Sequence, residues 1–111
     1  MVTGGGSGLG EATARELARL GAKVAILDVN LANAEKVAAE INAQAGNGSA
    51  LACQCDVTSG DSVQEAISAA AAAHGPARIL MQIAGIGSAK RVVGKDGNAA
   101  PLEDFAKVIN V

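Results

Sequence analysis

Three short apolar runs, KVAILD (Lys23–Asp28), ALACQCDV (Ala50–Val57) and RILMQIAGIG (Arg78–Gly87), alternate along this chain with stretches of helical period. All three read as strands, and KVAILD, bounded by turn signals, is apolar as expected of a parallel strand buried on both faces. Leu9–Leu20 sets Ala14, Leu17, Ala18 and Leu20 on one face and Glu11 and Arg15 four apart on the other, and Gly21 stops it. Leu31–Gln44 repeats the pattern through Ala34, Val37, Ala38 and Ile41, ending at Gly46–Gly48. A third helix, capped by Ser59 or Asp61, carries Val63, Ala66, Ile67 and Ala70 as far as the stop His74-Gly75-Pro76. A polar loop, Ser88–Ala100, leads to a last helix opened by Pro101, with Leu102, Phe105, Val108 and Ile109 expected to face inward. With Met1–Thr3 as a short opening strand the order is β-α-β-α-β-α-β-α. Right-handed crossovers make this an α/β chain, a parallel sheet with helices on both faces, in one domain over residues 1–111.

Phe105 is the single aromatic residue, so the core is built from Ala, Val, Ile and Leu. The net charge is −2 with Lys and Arg scattered, which gives no electrostatic footprint for nucleic acid or an anionic membrane. Cys53 and Cys55 share a strand face without a loop for a disulfide to close, as expected of a buried, reduced pair. They make no metal site, because His74 is the only histidine. No apolar run approaches the ~20 residues of a membrane span, and no leader pattern precedes the first strand. A cytoplasmic protein is expected.

The first turn, TGGGSGLG (Thr3–Gly10), is almost entirely glycine. Between strand and helix such a loop presents backbone N–H groups at a helix N-terminus, where free donors and the helix dipole favour an anion. A nucleoside-triphosphate loop needs G-x-x-x-x-G-K-[ST]; Gly5 and Gly10 have the spacing, but Glu11 stands in the lysine position and repels phosphate. The G-x-G-x-x-G fingerprint fails too, because Gly4 and Gly6 would need a glycine at Leu9, and Gly6 and Gly8 one at Glu11. What fits is T-G-x-x-x-G-x-G on Thr3, Gly4, Gly8 and Gly10. Gly4 makes the turn, Gly8 lets backbone approach a pyrophosphate, and Gly10 permits close helix-to-strand packing. Ser7 adds a hydroxyl for phosphate or ribose. A purely structural turn is the competing reading.

Asp28 closes the second strand, where a carboxylate can accept both hydrogen bonds of an adenosine ribose. The bland alternative is a solvated turn aspartate. A 2′-phosphate would be repelled there, and no Arg or Lys lies in the glycine loop or directly after Asp28, so NAD is favoured over NADP. Asp56 can accept from an adenine amino group while the Val57 N–H donates to a ring nitrogen; Asp56 can equally be a helix cap. The small residues of Ala84-Gly85-Ile86-Gly87 leave room at the carboxyl edge of the fourth strand, where ligands bind in open α/β sheets.

Thr3-Gly4-x-x-x-Gly8-x-Gly10, Asp28, Asp56-Val57 and Ala84-Gly85, in this order and spacing, resemble the short-chain dehydrogenase/reductase family over essentially the whole chain. The segment AGIGSAKRVVGKDGNAAPLEDFAKVINV looks like the branch of type 2 3-hydroxyacyl-CoA dehydrogenases. The resemblance implies a Rossmann-like three-layer fold with strand order 3-2-1-4. It also implies NAD contacts at Ser7, Leu9, Asp28, Asp56, Val57 and Ile83. Gln82 stands where the family has an asparagine that ties neighbouring strands together.

The family moves a hydride between nicotinamide and a carbinol or carbonyl carbon with Tyr as acid/base, Lys lowering its pKa, Ser orienting the substrate oxygen and Asn in a proton relay. This chain has no tyrosine. By the resemblance the relay Asn falls just beyond Val111, so Asn110 takes no catalytic role, and Ser88 reads as a polar loop residue. The fourth run is apolar for an unpaired edge strand and the opening strand is short. The expectation is therefore the NAD-binding, amino-terminal half of a larger enzyme, without catalytic or metal residues of its own. When complete, that enzyme is expected to be a homo-oligomer acting on a small-molecule substrate. Two alternatives stand beside it: a non-catalytic dinucleotide-binding or interaction module, and an S-adenosylmethionine-binding methyltransferase fragment, which leaves the Thr3-to-Gly10 spacing unexplained.

Overall fold

The computed structural model describes residues 1–111. Four parallel strands, β1 (Val2–Thr3), β2 (Val24–Asp28), β3 (Ala50–Gln54) and β4 (Met81–Gln82), alternate with helices α1 (Gly8–Arg19), α2 (Leu31–Ala45), α3 (Gly60–His74) and α4 (Leu102–Asn110). Their order across the sheet is β3-β2-β1-β4, as expected. In register, Val2 pairs with Ile26 and Met81, and Val24 with Ala50, so the carboxyl ends of the strands align along one edge.

Alternation along β2 divides the core between two faces. Val24 and Ile26 join Val2 and Ala50 under α1 and α2, packing on Ala14, Ala18, Ala34, Val37 and Ile41. Ala25 and Leu27 point the other way, with Cys53 and Cys55, onto Ala66 and Ala70 of α3. These are the two helical layers. The alanines on the buried helix faces let backbones approach the sheet closely, which suits a core without large rings. Both cysteines are free and buried, and burial pushes each thiol pKa up, with the neighbouring Cys55 adding to the effect at Cys53 and Asp56 at Cys55.

Short local bonds fix the element ends. Asn30 and Ser59 cap α2 and α3 by accepting from Asn33 N–H and Ser62 N–H. Asn42 clamps α2 to β3, its amide donating to the Ala50 carbonyl and accepting from the Ala50 N–H, each at 2.9 Å.

Three expectations need correction. The third strand stops at Gln54 rather than Val57, because its only neighbour, β2, ends at Asp28. The Cys55 N–H donates the last bond, to the Asp28 carbonyl, and the chain then turns at Asp56. Of Arg78–Gly87 only Met81–Gln82 is strand, since β1 offers it two residues to pair with. The last helix forms but does not face inward: Leu102, Phe105 and Ile109 are exposed, Val108 is half-buried, and α4 buries none of its residues. No apolar layer lies opposite it. The radius of gyration, 16.4 Å, accordingly exceeds the roughly 13 Å of a compact chain of this length.

Candidate functional site

The glycine turn connects β1 to α1 at the carboxyl edge of the sheet. Gly4 has φ +67°, and a Cβ there would lie 2.8 Å from Ala84 Cα, so only glycine lets the turn pass beside the end of β4. A Cβ on Gly10 would come 2.0 Å from the Gly4 carbonyl oxygen, which shows how closely the first turn of α1 sits on the loop. Gly8 differs: its φ is +53° and nothing lies within 4 Å of its Cβ position. Its bare face is turned to open space.

At the start of α1 the Ser7 side chain makes no capping bond. The first helical bond is donated by Glu11 to the Ser7 carbonyl, leaving the N–H groups of Gly8, Leu9 and Gly10 without intramolecular partners. Free donors at the positive end of a 12-residue helix are the arrangement that receives an anion. Glu11 is turned aside into an ion pair with Arg15, which also pairs with Glu40 of α2.

Asp28 anchors the loop from β2. Its Oδ2 accepts from the Gly6 N–H and its Oδ1 from the Asn30 N–H, both at 2.9 Å. A carboxylate has about four acceptor sites, so two remain for further donors. A Cβ on Gly6 would lie 2.9 Å from Asp28 Oδ2, so this contact needs a glycine. At the end of β3, Asp56 Oδ1 accepts from the Thr58 N–H and hydroxyl at 2.9 and 2.7 Å, bonds that pull its pKa down, the hydroxyl foremost. Asp56 thus shapes its own turn, while Ser59 caps α3. The Asp56 N–H donates to Ser62 Oγ, and the Val57 N–H has no intramolecular partner.

Thr3 holds the opposite side together. Its Oγ1 accepts from the Ile83 and Ala84 N–H groups at 3.1 and 3.2 Å, tying β1 to the segment after β4. Gln82, in the position of the family's tying asparagine, is exposed and its side chain makes no hydrogen bond. The hydroxyl of Thr3 supplies a tie there instead.

All eleven residues singled out in the sequence line one cleft of about 690 Å³ at this edge. Gly4, Ser7, Gly8, Leu9 and Gly10 form its floor, Asp28, Asp56 and Val57 one side, and Ile83, Ala84 and Gly85 the other. The size is that of a small-molecule or cofactor site. The cleft also takes in Ile86, from the stretch Ala84–Gly87 already read as lying at this edge, and Val29, Cys55, Thr58, Lys107 and Val111, which sequence reasoning did not assign. Thr58 adjoins an assigned residue and was within reach of it. Lys107 was not, because only the path of α4 brings it to the cleft. No three His, Cys, Asp or Glu residues gather as a metal site would require, and no helix is long and apolar enough to cross a membrane.

The whole chain, residues 1–111, matches the short chain dehydrogenase family model. It therefore belongs to that family, whose members are oxidoreductases that use nicotinamide dinucleotides. An uncharacterized oxidoreductase of Bacillus subtilis, YuxG, is 41% identical over 86 residues, covering 78% of this chain and 12% of that protein. The 3-hydroxyacyl-CoA dehydrogenase type-2 of Bos taurus is 38% identical over 112 residues, covering 100% of this chain and 41% of the relative. The crystal structure of a 3-ketoacyl-(acyl-carrier-protein) reductase from Brucella melitensis, complexed with NADH, superposes with a TM-score of 0.84 at 37% identity, over 98% of this chain and 41% of that one. The chain thus spans well under half the length of each of these relatives. The likeness confirms the Rossmann-like architecture and leaves activity and substrate to be argued from the site.

Proposed function

We propose that residues 1–111 hold NAD in the cleft at the carboxyl edge of the sheet, as the cofactor-binding part of a dehydrogenase acting on a secondary alcohol such as a 3-hydroxyacyl thioester. The observation that carries this reading is the convergence of free helix N–H groups, the open face of Gly8 and the Asp28 carboxylate on one cleft. The pyrophosphate belongs on the N–H groups of Gly8, Leu9 and Gly10 with the Ser7 hydroxyl beside it. The ribose belongs on the remaining acceptor sites of Asp28, and the adenine between Asp56 and the free Val57 N–H.

NAD is preferred over NADP because a 2′-phosphate would meet the Asp28 carboxylate, and the residues that follow, Val29 and Asn30, carry no positive charge. When bound, NAD supplies the hydride acceptor; the residues of this chain bind and orient it. These 111 residues alone do not turn substrate over, since no tyrosine is present to exchange the hydroxyl proton. For the whole protein we take the substrate to be a small molecule and the state a cytoplasmic homo-oligomer, without nucleic-acid or membrane partners. The 38% identity to the Bos taurus enzyme supports the substrate class.

Titration calorimetry tests the cofactor assignment. NAD should bind at least about tenfold more tightly than NADP, roughly the 1.4 kcal/mol that an unpaired like-charge contact readily supplies. Asp28→Ser should weaken NAD and bring the two dinucleotides close to equal affinity. Equal binding of both by the unaltered chain, or no heat with NAD from folded protein, would refute the reading.

A further inference from the structure

The cleft has a polarity that the glycine loop and its carboxylates do not explain. Only three of its lining side chains are charged: those of Asp28, Asp56 and Lys107. The two carboxylates stand at the β2 and β3 side, where Asp28 ends its strand and Asp56 follows the other. Lys107, on α4, lines the same cleft. A doubly anionic group on the α1 N-terminus therefore shares its cleft with two acids and a single cation.

Other cations of the chain are engaged or lie elsewhere. Arg15 is held by Glu11 and Glu40, Arg19 by Glu16 and Lys90 by Asp104. Lys23 and Arg78 line a groove at the opposite end of the sheet. The Lys107 ammonium makes no ion pair and no hydrogen bond within the chain. Lys107, on α4, and Val111, just past its end, are four apart, and both line the cleft.

We propose that Lys107 is a ligand-binding residue of this cleft, its ammonium closing on the phosphate groups held at the N-terminus of α1. The proposal rests on the dinucleotide reading above and adds a recognition element to it from a different part of the fold. The helix dipole and free N–H groups meet the pyrophosphate, and Lys107 supplies the positive charge that the glycine loop lacks. It is a binding residue, with no part in proton or hydride transfer. Because the side chain is exposed, its contribution is that of a solvated ion pair and falls with salt.

The test measures ADP-ribose, which carries the pyrophosphate, and adenosine, which does not, against the 111-residue chain and its Lys107→Ala and Lys107→Arg variants. Lys107→Ala should weaken ADP-ribose about three- to fivefold at low ionic strength, the range of an exposed ion pair. The loss should shrink in high salt, adenosine should bind unchanged, and Lys107→Arg should restore ADP-ribose binding. Unchanged ADP-ribose affinity in Lys107→Ala would overturn the role of Lys107 and leave the dinucleotide reading standing. So would an equal loss for adenosine, which would mark a structural effect. A folded wild-type chain that binds neither ADP-ribose nor NAD would instead remove the dinucleotide reading, and the proposal with it.

Discussion

Residues 1–84 and residues 85–111 are built on opposite terms. In the first region, sheet and helices enclose two apolar clusters, and Val2, Ile26, Ala14 and Ala34 are completely buried. In the second, nothing is buried: the chain runs through an exposed loop with one antiparallel bridge, Val93 to Ala99, into a helix whose Leu102, Phe105 and Ile109 face solvent. Both supply the cleft, the first with floor and carboxylates and the second with Gly85, Ile86, Lys107 and Val111. The contrast teaches that one half of the site is preorganised by the core and the other is held by surface contacts such as the Lys90–Asp104 ion pair.

The largest effect should come from opening the core of the first region. Ile26→Ala removes a side chain with no exposed surface, packed under α1 and α2, and should destabilise the fold by about 2–5 kcal/mol in urea denaturation. A loss below about 1 kcal/mol would mean that this region is as loosely packed as the second. Next comes the seat of α1 on the glycine loop. Gly10→Ala places a methyl group against the Gly4 carbonyl oxygen and should lower stability by about 1–3 kcal/mol or more. Dinucleotide binding should fall with it, because the free N–H groups must move. The smallest effect belongs to Phe105→Ala: at 65% exposure the ring covers no core, and stability should stay within about 0.5 kcal/mol of the parent chain. A loss of 2 kcal/mol or more, on the order of a buried ring, would erase the distinction between the two regions.

Much of the first region was legible in the sequence because its signals are local. The period of Ala14 to Leu20, the apolar run ending at Asp28 and the glycine spacing from Gly4 to Gly10 each follow from neighbouring residues. Their roles in the turn could be assigned before any contact was known, and the Gly10-to-Gly4 approach agrees with that assignment. The misreadings fell where the outcome depends on a partner. Arg78–Gly87 has the composition of a long strand, yet ladder bonds need an adjacent strand and β1 offers two residues. Leu102, Phe105 and Ile109 have the spacing of an inward face, yet amphipathic spacing states which residues share a side and not what lies opposite.

By itself the sequence determined the alternation of strand and helix, the two-sided burial of the central strands and the anion-receptive turn after β1, all set by side-chain period and backbone sterics within a few residues. Tertiary structure alone decided that the Asp28 carboxylate holds the Gly6 N–H, that Thr3 rather than Gln82 ties β1 to the segment after β4, and that Lys107 reaches the same cleft. The physical reason is distance along the chain. Gly6 and Asp28 are 22 residues apart and Thr3 and Ile83 are 80 apart, and such contacts exist only once crossover connections have brought the carboxyl ends of the strands to one edge.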